Sequence, residues 1–223
     1  MPFCLPRTHL VEGASSSREP GAERPHLMYA FLLSTAVIFV AELGDKSQLM
    51  AMTFATRYRT RDVLIGITAA TAIVHLASVA IGFWIGDAFA DYQGAIAIVA
   101  GLAFLAFAAW TLRGDELTEE EASKAKNATG AAILAVGVAF FLAELGDKTM
   151  LATITLAVQE NWFGVWIGST LGMVAADALA IAVGAVLGKK LPEKTIKYGA
   201  AALFALFGVL LIAEGAGLFS SPI

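Results

Sequence analysis

Ala41-Glu42-Leu43-Gly44-Asp45-Lys46-Ser47 lies inside a long apolar run, and Ala143-Glu144-Leu145-Gly146-Asp147-Lys148-Thr149 repeats it with one hydroxyl exchanged for another. Charges in such surroundings are costly and are rarely kept without a function. On a helix, residues three and four apart share a face, so Glu42, Asp45 and Lys46 would project together, as would Glu144, Asp147 and Lys148. Each Glu precedes its Lys by four positions, so one reading is a pair of in-helix salt bridges that hold helices in register. That reading leaves the aspartates over. If the two faces meet, the four carboxylates and two ammoniums of the motifs carry a net charge of minus two. A low-dielectric interior tolerates that only with a bound cation or bound protons.

The surrounding composition is that of an integral membrane protein. Of 223 residues, 58% are hydrophobic and only 15% charged, and the mean hydropathy is +0.73. The net charge of −4 says little, because its distribution among loops matters more than the sum. The single cysteine, Cys4, excludes an internal disulfide and a thiolate metal cluster.

Residues 1–27 are polar, carry Pro2, Pro6, Pro20 and Pro25, and lack the apolar core of a signal peptide, so they are expected to form a disordered tail. Six apolar runs follow, at 28–56, 63–85, 94–112, 129–157, 161–187 and 196–218. Each meets the ~20 residues that a span requires, so the expected fold is all-α and polytopic with six transmembrane helices. The first and fourth runs, which carry the repeated motif, are too long for straight spans: at 1.5 Å per residue they exceed a core of ~30 Å. Either a break at Gly44 and Gly146 or a tilted continuous helix accommodates the excess.

The repeat extends beyond the motif. A shift of 102 residues (144 − 42) also carries Gly66 onto Gly168, Thr68 onto Thr170, Gly82 onto Gly184 and Gly86 onto Gly188. Two three-helix repeats are expected, 28–112 and 129–218, joined by an acidic linker over 113–128 and ending in a tail at 219–223. An odd number of spans per half inverts the second half, which brings the two motifs together near the midplane. The glycines at four-residue spacing suit close helix packing, and Trp84, Trp110, Trp162 and Trp166 suit interfacial anchoring.

Basic residues cluster in loops 57–62, 113–128 and 188–195, whereas loops 86–93 and 158–162 have none. The positive-inside rule then puts loop 113–128 in the cytoplasm and both termini outside. Two further polar residues sit in apolar helices: His75, and Asp177 at the same position of the other half. A proton relay or gate is one reading, and a polar helix–helix contact is the other.

Carboxylates, the hydroxyls of Ser47 and Thr149 and the amide of Gln48 are oxygen donors, which suit hard divalent cations such as Ca²⁺ and Mn²⁺. When such an ion leaves, carboxylate repulsion favours protons in its place, so ion and proton compete for one site. Lys46 and Lys148 would hold the carboxylates apart. No prosthetic group is implied.

Glu-x-Gly-Asp-Lys-Ser/Thr, twice, in a six-span chain with an acidic central loop, resembles the membrane family of calcium/manganese cation:proton antiporters, and the likeness covers nearly all of 28–218. The resemblance implies a transporter rather than an enzyme, exporting Mn²⁺ or Ca²⁺ from the cytoplasm in exchange for protons. Carried over by position, Glu42, Asp45, Glu144 and Asp147 are the metal ligands, with Ser47 and Thr149 at the final hydroxyl position. The expected partners are the cation, protons and the bilayer, with no nucleic acid. A bacterial cytoplasmic membrane is the expected location by analogy.

Three other classes compete. Intramembrane aspartyl proteases use a Gly-x-Gly-Asp aspartate, but here the first glycine is Glu in both copies. A passive divalent-cation channel would use the same carboxylates without proton coupling. A small amino-acid exporter of inverted three-helix halves would place a zwitterion against the charged motif.

Overall fold

The computed structural model describes residues 23–113, 131–187 and 193–218. The linker at 114–130, residues 1–22, 188–192 and the C-terminal 219–223 lie outside the described residues, so most of the expected tail and linker do too. Among the described residues the chain is all-helical, with eight α-helices: α1 (Glu23–Glu42), α2 (Lys46–Ala55), α3 (Thr60–Ala88), α4 (Gln93–Arg113), α5 (Ala132–Glu144), α6 (Lys148–Gln159), α7 (Trp162–Leu187) and α8 (Glu193–Gly215), plus a 3-10 turn at Ala90–Tyr92. α1 begins at Glu23, inside the stretch 1–27 expected as a tail, so the helix enters earlier than the apolar run itself.

Among the described residues four helices are long and apolar enough to cross a membrane, and α1 with α2 makes a fifth crossing if the pair counts as one span bent by 78°. The expected fourth span, 129–157, is divided into α5 of 13 residues and α6 of 12. Each piece is roughly 20 Å or less at 1.5 Å per residue, too short to cross a ~30 Å core singly.

Both motif runs are therefore broken, not tilted. The cause lies in the glycines: Gly44 has φ 77° and Gly146 has φ 80°, a left-handed conformation that side-chain-bearing residues avoid. The two breaks share a tight turn. Asp45 N–H donates to Glu42 O at 3.1 Å, and Asp147 N–H donates to Glu144 O at 3.2 Å. A new helix then starts, with Asp45 and Asp147 in extended conformation at the N-cap positions of α2 and α6.

Small residues set the packing. A Cβ on Gly164 would lie 2.7 Å from Leu27 O and one on Gly172 would lie 2.6 Å from Thr35 O, so α1 and α7 run side by side in the same direction. Gly82 and Gly86 of α3 meet Ile154 O and Val158 O, which makes α3 and α6 parallel as well. α4 and α8 are antiparallel, with Gly101 against Gly208 and Gly94 against Gly215. Several contacts recur at the 102-residue shift: Gly66 meets Ile133 O and Gly168 meets Phe31 O, while Gly82 meets Ile154 and Gly184 meets Met52. Thr71 and Met173, themselves 102 apart, touch at 3.4 Å.

Two apolar clusters fill the interior. One gathers Val37, Ile38, Phe104, Phe107, Met173 and Phe204, and the other gathers Met50, Phe54, Ile67, Val136 and Phe140. The outward faces of the helices are apolar too, with Ile73, Trp84, Val99 and Leu134 exposed. An apolar outer surface is what a lipid solvent selects, since there is no water to reward polar groups there. Trp166 departs from the interfacial role expected of it: its indole N–H donates to Ala72 O at 2.9 Å and ties α7 to α3.

Candidate metal centre

The breaks decide how the repeated motifs meet. Glu42 and Glu144 are the last residues of α1 and α5, whereas Lys46 and Lys148 are the first of α2 and α6. The expectation of a single helical face holding Glu, Asp and Lys is therefore corrected. The left-handed glycine between them turns the chain, and the charges project from two helix ends.

The expected in-helix Glu–Lys bridges are replaced by crossed pairs. The Lys148 ammonium donates to Asp45 Oδ1, and Lys46 Nζ lies 3.4 Å from Asp147 Oδ1. All four partners sit deep: side-chain exposure is 5% for Lys148, 0% for Asp45, 18% for Lys46 and 3% for Asp147. The aspartates left over by the in-helix reading thus take the lysines of the other motif, and the two motifs are bound directly to one another.

Each glutamate is held by its own motif's hydroxyl. Ser47 Oγ donates to Glu42 Oε1, and Thr149 Oγ1 donates to Glu144 Oε2 at 3.0 Å. The other oxygen of each, Glu42 Oε2 and Glu144 Oε1, is buried and accepts no hydrogen bond. Buried polar atoms are nearly always paired, so these two oxygens invite a cation or a proton. Among the described residues no three His, Cys, Asp or Glu side chains stand together as a formed metal cage. In this arrangement the ammoniums occupy the aspartates.

Gln48 joins the site through a link that the sequence did not suggest. Gly44 N–H donates to Gln48 Oε1 at 2.8 Å, and Gln48 Nε2 donates to Ala176 O at 2.8 Å, clamping the first break to α7. Met150, one 102-residue shift later, takes the matching place: Gly146 N–H points to its sulfur at 3.2 Å. The repeat shift itself was the signal that could have singled out this pair.

His75 and Asp177 are both fully buried, and neither the imidazole nitrogens nor the carboxylate oxygens have a hydrogen-bond partner. They do not bond to each other. Asp177 lies within Coulombic reach of Glu42, Glu144 and Asp45.

A cavity of about 740 Å³ lies elsewhere, at one end of the bundle, with His26, Tyr29, Gln93, Gln159, Glu160 and Glu214 among its polar lining. No motif residue lines it. Phe104, Leu156 and Phe207 form part of its wall.

Comparison with known proteins gives a concordant picture. The family model described as "Divalent cation/proton antiporter GDT1" matches residues 30–119 and 132–218. A Vibrio cholerae protein whose name puts forward manganese export is 35% identical over 190 residues, covering 82% of this chain and 90% of its own length. The Synechocystis GDT1-like protein sll0615 is 31% identical over 199 residues, covering 82% and 97% respectively. The rice GDT1-like protein 2, chloroplastic, is 32% identical over 206 residues, covering 80% of this chain and 59% of its own length. No solved structure matches the chain.

Proposed function

We propose, for a chain that belongs to the GDT1 family of divalent cation/proton antiporters, that it exports Mn²⁺ or Ca²⁺ from the cytoplasm in exchange for protons. The observation that carries this reading is the crossed pairing of Lys148 with Asp45 and Lys46 with Asp147, which merges two acidic motifs into one buried site.

Glu42, Asp45, Glu144 and Asp147 bind the cation, with Ser47, Thr149 and Gln48 as neighbouring oxygen groups. Oxygen donors suit Mn²⁺ and Ca²⁺. The lysines act as internal counter-ions: a divalent ion entering the site displaces them from the aspartates, and they return when it leaves. His75 and Asp177 serve gating or proton passage beside the site. Exchange follows from charge, because a site that is strongly acidic without its ion is stabilised by protons.

The architecture we propose is six spans in two inverted repeats, 28–112 and 129–218, with α1–α2 and α5–α6 as the broken spans. The parallel runs of α1 with α7 and α3 with α6, and the antiparallel run of α4 with α8, support it. By the positive-inside rule both termini face outward and the 113–128 linker faces the cytoplasm of a bacterial cell.

The test is flux into proteoliposomes with Mn²⁺, Ca²⁺ and Mg²⁺ under an imposed proton gradient. Gradient-driven Mn²⁺ or Ca²⁺ movement with counterflow of protons is expected. Flux indifferent to the gradient would favour a channel, and amino-acid flux in place of cation flux would overturn the reading.

A further inference from the structure

We infer that Asp177, beyond the gating or proton passage proposed for it above, is a fifth carboxylate of the cation site, supplied by α7 from outside both repeated motifs, and that it coordinates the transported ion directly. The inference rests on the proposed cation transport and adds a ligand to it.

Asp177 is 0% exposed, and both its oxygens lack a hydrogen-bond partner. A carboxylate so buried is expensive and contributes nothing to helix packing that an apolar residue would not do better. Its location ties it to the first motif. The carbonyl of the preceding residue, Ala176, accepts the Gln48 amide, and the same Gln48 side chain accepts Gly44 N–H at the helix break. One side chain therefore pins the Asp177 turn of α7 to the break that carries Glu42 and Asp45. Glu42, Glu144 and Asp45 all lie within Coulombic reach of Asp177.

Glu42 and Glu144 each have one oxygen held by a hydroxyl, and Asp45 is held by Lys148. Asp177 has neither oxygen hydrogen-bonded, so it can join a cation without breaking a hydrogen bond.

The repeat makes the point sharper. The two motifs differ by one hydroxyl, yet the positions beside them differ in kind: Gln48 on α2 and Asp177 on α7 lie on the first motif's side, and their 102-residue counterparts, Met150 on α6 and His75 on α3, lie on the side of the second motif, against whose helices α3 packs. An amide and a carboxylate are hard oxygen donors, whereas a thioether and an imidazole are softer. The hard wall is thus on one side only, and Asp177 supplies its charge. A hard divalent cation would seat toward the first motif.

The experiment uses the full chain in proteoliposomes, with Mn²⁺, Ca²⁺ and Cd²⁺ as probes, and compares wild type with D177N, D177E and D177H. D177N keeps the shape and removes a buried charge, so it should melt at or above the wild-type temperature while its KM for Mn²⁺ and Ca²⁺ rises at least tenfold. D177E should recover part of that loss. D177H exchanges an oxygen ligand for a nitrogen ligand and should raise the Cd²⁺ to Ca²⁺ preference at least tenfold, which a carboxylate acting only through its charge would not do. A wild-type KM in D177N, or a D177H preference ratio unchanged from wild type, overturns the inference while leaving cation transport standing. If the wild-type chain moves none of the three ions, the transport reading itself fails, and this inference with it.

Discussion

Lys148 opens the second motif's helix, yet its ammonium is bound to Asp45 of the first motif, 103 positions away in the chain. The reciprocal pair, Lys46 with Asp147, makes the link two-sided. Buried pairs of this kind behave asymmetrically: removing one partner strands a charge, whereas removing both does not. K148M should therefore cost on the order of 3–5 kcal/mol, and D45N/K148M distinctly less than the sum of the single changes. Thermal unfolding of the purified variants in one detergent checks this. Additive losses would mean that the two side chains do not depend on each other.

The glutamates should separate transport from folding. E42Q and E144Q keep an oxygen that can accept from Ser47 or Thr149 but lose the charge offered to a cation. Mn²⁺ flux is expected to fall at least 100-fold, the equivalent of about 2.7 kcal/mol, with melting temperatures close to wild type. Normal flux in either variant would remove that glutamate from the proposed ligand set.

Gly146 isolates the break itself. A Cβ there would meet nothing within 4 Å, so Gly146→Ala introduces no clash, only a left-handed alanine with φ near 80°. The cost should be roughly 1–2 kcal/mol. Transport should suffer more than stability, because relaxing the turn moves Glu144 relative to Asp147. Gly168→Ala makes the contrasting case: its Cβ would collide with Phe31 O, so helix packing and melting temperature should suffer most.

Glu160, in the link between α6 and α7, has its pKa raised by burial and then by the Glu214 charge, with His26 acting the other way. Its ordinary value is 4.5. Between that value and the raised one, the folded chain holds a proton that the unfolded chain has lost, so stability falls as pH rises through this window and stays lower above it. E160Q removes the titration and should flatten the melting-temperature profile from pH 4.5 upward. Parallel profiles for wild type and E160Q would show that the carboxyl is not held in its protonated form by the fold.

Much of this molecule is legible in its residues alone. The membrane class follows from the apolar runs, and the pairing of the two halves follows from one constant shift that superposes Glu42 on Glu144 and Gly66 on Gly168. The special place of the charged motifs follows from their cost in an apolar setting. These features are local or periodic, so a linear chain displays them. Only the tertiary structure decided that the motif runs break and do not tilt, because both conformations suit the same length, and the glycine φ values choose between them. It also decided which lysine meets which aspartate. Helix spacing favoured a partner four residues away, but the turn at each glycine sends Lys46 and Lys148 across the interface, where burial leaves the opposite motif's carboxylate as the group that can compensate them. Gln48 and Asp177 illustrate the same limit. Gln48 follows the first motif directly in sequence, but its bond to Ala176 O, and the approach of Asp177 to that motif, arise from α7 packing on α1 and α2, a relation between distant segments that no window of sequence contains.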